Sequence, residues 1–272
     1  MEIPIDAIPS ENKPKDPALA QLDYDLPKLP ATFMMLGRCG SGKSSILWAL
    51  LTKGYMKGKK KNKSVFHEII VYLGSQDSIE AFEKLPCKNL VVLQEFVAAD
   101  FEEYLNDLRK HQMERLAQGK YPLNVAVVFD DFVGQALLKH HGGKASPLER
   151  IALTSRHECN MSLFFCSQVY KGTGFSSCSM RNNTTTYVIS NMSRPEMVKI
   201  AEEHCQNFTP DEFIQIYEEA MKVPYNFLTI DYRRPLDDRI KEKFTGSLKS
   251  KPKLKHGKEV GDSDGSGSDA ER

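Results

Sequence analysis

The chain has 272 residues and a formal net charge of +1, with 40% hydrophobic and 27% charged residues, ordinary for a soluble globular protein of one domain with tails, or at most two small domains. No apolar run approaches the ~18 residues of a membrane-spanning helix, and a balanced charge excludes nucleic-acid binding driven by the whole protein's field, leaving only local patches. The six cysteines contain no Cys-x-x-Cys pair, which argues against a zinc ribbon and for reduced thiols in a cytosol-like compartment.

Residues 1–30 hold six of the fourteen prolines and many charges. Such a segment buries little and is expected to be an extended N-terminal arm. Its start, Met1-Glu-Ile-Pro-Ile-Asp6, lacks the basic residues and apolar core of a signal peptide. Apolar Phe33 to Leu36 then reads as a strand and Ser45 to Leu51 as a helix, on either side of Gly37-Arg-Cys-Gly-Ser-Gly-Lys-Ser44. That is the full P-loop pattern in a strand-loop-helix setting. Glycines let backbone N–H groups converge on phosphate oxygens, and the helix start adds its positive dipole end. Gly37, Arg38, Cys39, Gly40, Ser41, Gly42, Lys43, Ser44 and Ser45 are therefore the expected nucleotide cradle. Lys43 is placed to reach the β- and γ-phosphates of ATP, and Ser44 to hold Mg²⁺.

The basic loop Lys57-Gly-Lys-Lys-Lys-Asn-Lys63 follows. It is a DNA-backbone contact, since lysine neutralises phosphate without regard to sequence, or a solvated linker. His67 to Leu73 and Asn89 to Leu93 read as strands, and residues 100–116 as an amphipathic packing helix. Val125-Ala-Val-Val-Phe129 is an unbroken apolar run, as in a strand buried on both faces. It ends in Asp130 and Asp131. Asp130 is expected to hold the metal, and Asp131 to orient or deprotonate an attacking water.

Ser146-Pro-Leu-Glu149 has the form of a capping box with proline at the first helical position, starting a helix to about Arg156. Met161 to Gln168 is a further buried strand, and Gln168 at its mouth either contacts the γ-phosphate or water, or satisfies loop backbone. Thr185 to Ile189 is another strand. Ser193-x-x-Glu196 and Thr209-x-x-Glu212 are capping boxes that open helices, and Tyr225 to Ile230 is expected as the last strand. From Thr245 the chain is Lys-rich and then Gly/Ser/Asp-rich, a charged tail without a core. Strands alternating with helices predict an α/β fold with a mostly parallel sheet flanked by helices, its ligands at the strand ends. Residues 31–244 form the expected ATPase domain between the arm and the 245–272 tail.

Arg150, Arg156 and Arg181 are the remaining charges to weigh for a phosphoryl-transfer site, with Arg156 and Arg181 as arginines reaching a neighbour's γ-phosphate or as surface ion-pair partners. Arg156, at the end of its helix, is favoured.

Taken together, Gly37–Ser44, Val125–Asp131, Ser155-Arg-His157, Ser162–Gln168 and Met180-Arg-Asn-Asn183 resemble the genome-packaging ATPases of the poxvirus and giant-virus type, in the FtsK/HerA superfamily of P-loop NTPases. The resemblance covers about residues 31–190. It implies a RecA-like ATPase that hydrolyses ATP with Mg²⁺ and threads double-stranded DNA through a homo-oligomeric ring, a hexamer or pentamer, into a capsid. Capsid or portal-vertex proteins are then implied partners, and host cytoplasm, virus factory or virion the location. It assigns Lys43, Ser44, Asp130, Asp131 and Gln168 the roles above and makes Arg156 and Arg181 inter-subunit residues. Cellular relatives often carry Glu where Asp131 stands. A cellular-type translocase or helicase-like motor would share this site. A small-molecule P-loop kinase would want an arginine-rich lid that the chain does not clearly contain.

Overall fold

A computed structural model of the chain describes residues 19, 25–57, 63–131, 147–171 and 177–247. In chain order these form β1 (Thr32–Leu36), α1 (Lys43–Ala49) with a π-helical continuation (Leu50–Gly54), the short pair β2 (Met56–Lys57) and β3 (Lys63–Ser64), β4 (Glu68–Leu73), α2 (Ile79–Phe82) and β5 (Asn89–Leu93). Then come α3 (Ala98–Ala117), β6 (Val125–Asp130), α4 (Pro147–Glu158), β7 (Met161–Ser167), α5 (Cys178–Asn183) and β8 (Thr186–Ile189). The chain closes with α6 (Arg194–His204), α7 (Pro210–Ala220), β9 (Leu228–Asp231), β10 (Ile240–Glu242) and β11 (Gly246–Ser247).

Nine strands make one sheet in the order β11-β10-β9-β8-β1-β7-β6-β4-β5. From β8 to β5 every pairing is parallel, and β9, β10 and β11 add an antiparallel edge. The mostly parallel α/β sheet expected from the alternation of elements is present. Period-two alternation splits each central strand between two cores. Met34, Leu36, Val127, Phe129, Leu163 and Phe165 face α3, α4, α6 and α7. Phe33, Met35, Ala126, Val128, Phe164 and Cys166 face α1 and its continuation. Stacked rings run across the sheet on the first face, with centroids 5.0 Å apart for Tyr72–Phe129 and 5.3 Å for Phe129–Phe165. Such pairs add about 0.5–1.5 kcal/mol beyond the area they bury.

Several local expectations are corrected. Tyr225 to Ile230 is neither one strand nor the last, since β9 begins at Leu228 and β10 and β11 follow. The sheet therefore reaches Ser247, past the expected boundary at 244. At the other end, residues 25–30 pack as part of the domain: the Tyr55 hydroxyl donates to the Pro27 carbonyl at 2.9 Å and Lys241 Nζ to Asp25 at 2.9 Å. The Thr209–Glu212 capping box forms reciprocally. The Ser193–Glu196 box does not. Ser193 stands at the N-cap without a side-chain bond, and the Glu196 carboxylate that would return to the Ser193 N–H instead accepts from Tyr170 N–H at 2.6 Å and from Lys199 at 2.5 Å. Ser146, residues 58–62 of the basic loop and residues 248–272 of the tail lie outside the described residues. Among the described residues no helix is long and apolar enough to cross a membrane.

Candidate functional site

The loop between β1 and α1 is pinned by the strands on both sides of β1. Gly37 N–H donates to the Ser167 carbonyl at 3.2 Å, and Arg38 N–H to the Asn191 carbonyl at 2.8 Å. The Ser190 hydroxyl donates to the Leu36 carbonyl at 2.8 Å and lies 2.9 Å from the Ser41 hydroxyl. A Cβ on Gly37 would stand 2.0 Å from Ser190 Oγ, so only glycine fits there. Gly40 and Gly42 hold φ of +71° and +90°, the left-handed region that lets the loop curl into a concavity. Lys43 is buried there and donates from Nζ to the Gly37 and Arg38 carbonyls at 2.9 and 3.0 Å. The cradle Gly37–Ser45 is thus a closed turn carrying one ammonium. Within it Arg38, Cys39, Gly40 and Ser45 are exposed.

The order β1-β7-β6 places one strand between the P-loop strand and the acidic strand. At about 4.8 Å per strand, Asp130 is roughly 10 Å across the sheet from the end of β1. That gap is bridged from above by α1, whose face carries Lys43 and Ser44. Asp130 is the last residue of β6 and lies on the α1 face, beside the Ser44 hydroxyl and the Cys166 thiol. Burial pushes the Asp130 carboxyl above the usual carboxylate range and the Asp131 charge adds to this, while the neighbouring Ser44 hydroxyl, Cys166 thiol and Lys43 charge oppose it. The Cys166 thiol is itself pushed well up by burial and by the Asp130 charge, so it stays a protonated donor. Asp131 turns the chain sharply at φ +48°. Asp130 Oδ1 and Asp131 Oδ1 are both buried and have no hydrogen-bond partner among the described residues. Buried acceptors are ordinarily satisfied. Two orphaned carboxylate oxygens beside a serine hydroxyl and a lysine fit a hydrated Mg²⁺ at the phosphates of a nucleotide.

Gln168 follows β7 directly and is exposed. Its neighbour Ser167 pairs with Leu36 in register and holds Gly37, so Gln168 stands at the P-loop mouth between β1 and β6.

Arg156 and Arg181 lie elsewhere. Arg156 is near the end of α4, which leads into the start of β7, and Arg181 is in α5, which leads into the start of β8. Both are at the end of the sheet opposite the P-loop, roughly 20 Å away along β7. They line one cleft of about 620 Å³ with Asn182, Thr185, Glu203 and His204. Arg181 is committed locally: its Nε pairs with Glu203 at 3.2 Å and its guanidinium lies over the Tyr170 ring at 5.2 Å. Burial pushes the Glu203 carboxyl up, but hydrogen bonds from Lys171 and Tyr170 and the Arg181 charge outweigh it and bring it to about 2. Arg156 has no carboxylate partner among the described residues, and its Nη2 lies 3.4 Å from His157 Nε2. Burial pulls its pKa down.

Sequence reasoning did not single out Ser190 or Cys166. Ser190 carries the same signal as Asp130 and Gln168, a polar residue ending an apolar strand. Cys166 carries none, because its position beside Asp130 depends on which strands are neighbours.

Neither a protein-family model nor a curated protein sequence matches the chain. Among solved structures it aligns with the genome packaging NTPase B204 from Sulfolobus turreted icosahedral virus 2, in complex with ATP-gammaS, at 15% identity and TM-score 0.47, covering 78% of this chain and 95% of that one. It aligns with the cytoplasmic domain of the Thermomonospora curvata Type VII secretion ATPase EccC at 13% identity and TM-score 0.46, over 78% of this chain and 23% of that one. The N-terminal domain of zonular occludens toxin from Neisseria meningitidis aligns at 13% identity and TM-score 0.38, over 64% of this chain and 91% of that one.

Proposed function

We propose that this chain is an ATP-hydrolysing motor that moves double-stranded DNA into a viral capsid, acting as a homo-oligomeric ring. The observation that carries the hydrolytic reading is the meeting of Ser44 with Asp130 beside a lysine-bearing P-loop, with two buried carboxylate oxygens unpartnered among the described residues. Lys43 binds the β- and γ-phosphates from inside the loop, and Ser44 and Asp130 hold Mg²⁺, which when bound neutralises charge on the phosphate oxygens. Asp131 accepts the proton of the attacking water at Oδ1 as the bond from the γ-phosphorus to the ADP oxygen breaks, and Gln168 orients that water.

The position of Arg156 supports a ring. An arginine a full strand length from its own P-loop cannot stabilise its own γ-phosphate, whereas a neighbouring copy can be docked so that it does. Coupling to DNA draws on the lysines from Lys57 to Lys63 and on the resemblance of the motif set. The test is steady-state ATP turnover with and without long double-stranded DNA, together with imaging of the protein on DNA. Stimulated turnover and rings around the duplex are expected. Turnover indifferent to DNA, with phosphate passed to a small acceptor, would replace the motor by a kinase.

A further inference from the structure

A second cleft, of about 670 Å³, adjoins the P-loop and runs along α1; its lining includes Gly42, Ser45, Ile46, Tyr225, Phe227 and Phe244. Its walls are aromatic and aliphatic. Phe227 and Phe244 meet edge to face, with centroids 5.1 Å apart. Tyr225 borders the P-loop itself: its Cδ1 would be 3.6 Å from a Cβ on Gly42. Tyr225 is 78% exposed, more than any other large hydrophobic side chain among the described residues. It is also held at φ +56°, where a bulky side chain is strained. Lys243, which also lines the cleft, is held at φ +55° with its N–H on the Phe227 carbonyl at 2.8 Å. Strain of this kind persists where surrounding structure holds it and clusters at ligand sites.

The occupant follows from where the cleft begins. Gly42 and Ser45 belong to the phosphate cradle, so a phosphate chain seated there continues into this space. The flat, weakly polar part of such a ligand is its base, which matches aromatic walls, and the volume is ample for a nucleoside. We propose that this cleft receives the nucleobase, that Tyr225 stacks on its face, and that Phe227 and Phe244 close the apolar wall. The proposal rests on the P-loop reading above and adds to it the recognition of the base.

The test is calorimetry on the full chain with Mg²⁺ and either ATP or inorganic tripolyphosphate, for the wild type, Tyr225→Ala and Tyr225→Phe. Tyr225→Ala is expected to weaken ATP at least about 10-fold, the loss typical of removing one base-stacking ring, while leaving tripolyphosphate affinity unchanged. Tyr225→Phe retains the ring and is expected to bind ATP like the wild type. ATP affinity unaffected by Tyr225→Ala would overturn the proposal. So would equal weakening of ATP and tripolyphosphate, because the variant would then act through the P-loop. A wild type that binds tripolyphosphate as tightly as ATP overturns the base cleft and leaves the P-loop reading standing. A wild type that binds neither overturns both.

Discussion

The Ser44 hydroxyl at the start of α1 stands beside the Asp130 carboxylate at the end of β6, although a whole strand, β7, separates β6 from the strand that feeds the P-loop. This contact turns two separate sequence signals into one site. It also defines what each neighbouring residue can be asked to do.

Lys43 bridges the Gly37 and Arg38 carbonyls from inside the loop. Lys43→Ala is expected to lower ATP turnover by at least about 100-fold, the scale of removing one preorganised donor from a developing charge. Its circular dichroism spectrum should match that of the wild type. A purified variant with wild-type turnover would remove the P-loop from the chemistry.

The two aspartates are expected to separate. Asp131→Asn keeps MgATP binding and loses hydrolysis, since the amide cannot take the proton from water. Asp130→Asn loses the Mg²⁺ dependence of binding, since it removes the charge beside Ser44. Equilibrium binding paired with turnover reads both. Equal loss of binding in the two variants would reverse the assignment.

Arg156 is expected to act on a neighbouring copy. Arg156→Ala and Lys43→Ala are each inactive alone, and mixtures should regain activity where an intact P-loop meets an intact arginine. No recovery at any mixing ratio counts against the shared site. Arg181→Ala is the poorer probe, because it also breaks the pair with Glu203 and the packing on Tyr170.

His204 is buried between Tyr170, whose hydroxyl is 2.5 Å from Nε2, and Tyr232 at Nδ1. Burial pulls its pKa from 6.5 to about 4, outweighing the Glu203 charge. Between those values the unfolded chain binds a proton that the native chain does not, so stability falls as pH falls from 6.5 toward 4. The loss by pH 4 is about 3 kcal/mol, at 1.36 kcal/mol for each pKa unit. Glu203 is depressed from 4.5 to about 2, so its contribution is complete above 4.5 and does not enter the interval from 6.5 to 4.5. Urea midpoints across that interval should slope in the wild type and flatten in His204→Gln. Parallel curves would place the acid sensitivity elsewhere.

Replacing the five lysines between Lys57 and Lys63 with glutamine is expected to weaken binding to duplex DNA and to reduce its salt dependence, since each phosphate contact releases counterions. The fold should not change, because the described ends of this segment pair only with each other, as β2 and β3. Unchanged affinity and salt slope at low salt would end the assignment of this loop to DNA.

What the amino-acid sequence determined alone was local. The P-loop, the buried strand ending in Asp130, the Gln168 strand and the Thr209–Glu212 cap each depend on residues within a few positions of one another, so spacing and periodicity carry them. Tertiary structure decided everything that depends on strand order. Placing β7 between β1 and β6 brings Cys166 onto Asp130 and Gln168 to the loop mouth, and placing β8 beside β1 puts Ser190 against Gly37 and Ser41. Glu196 shows the competition directly: its sequence position offers a capping box, but the Tyr170 N–H and Lys199 ammonium take its oxygens. The shared cleft of Arg156 and Arg181, at the far end of the sheet from Lys43, has the same origin. In parallel strands the residues that precede a strand and those that follow it are separated by the strand's whole length, and only the fold shows which of them meet.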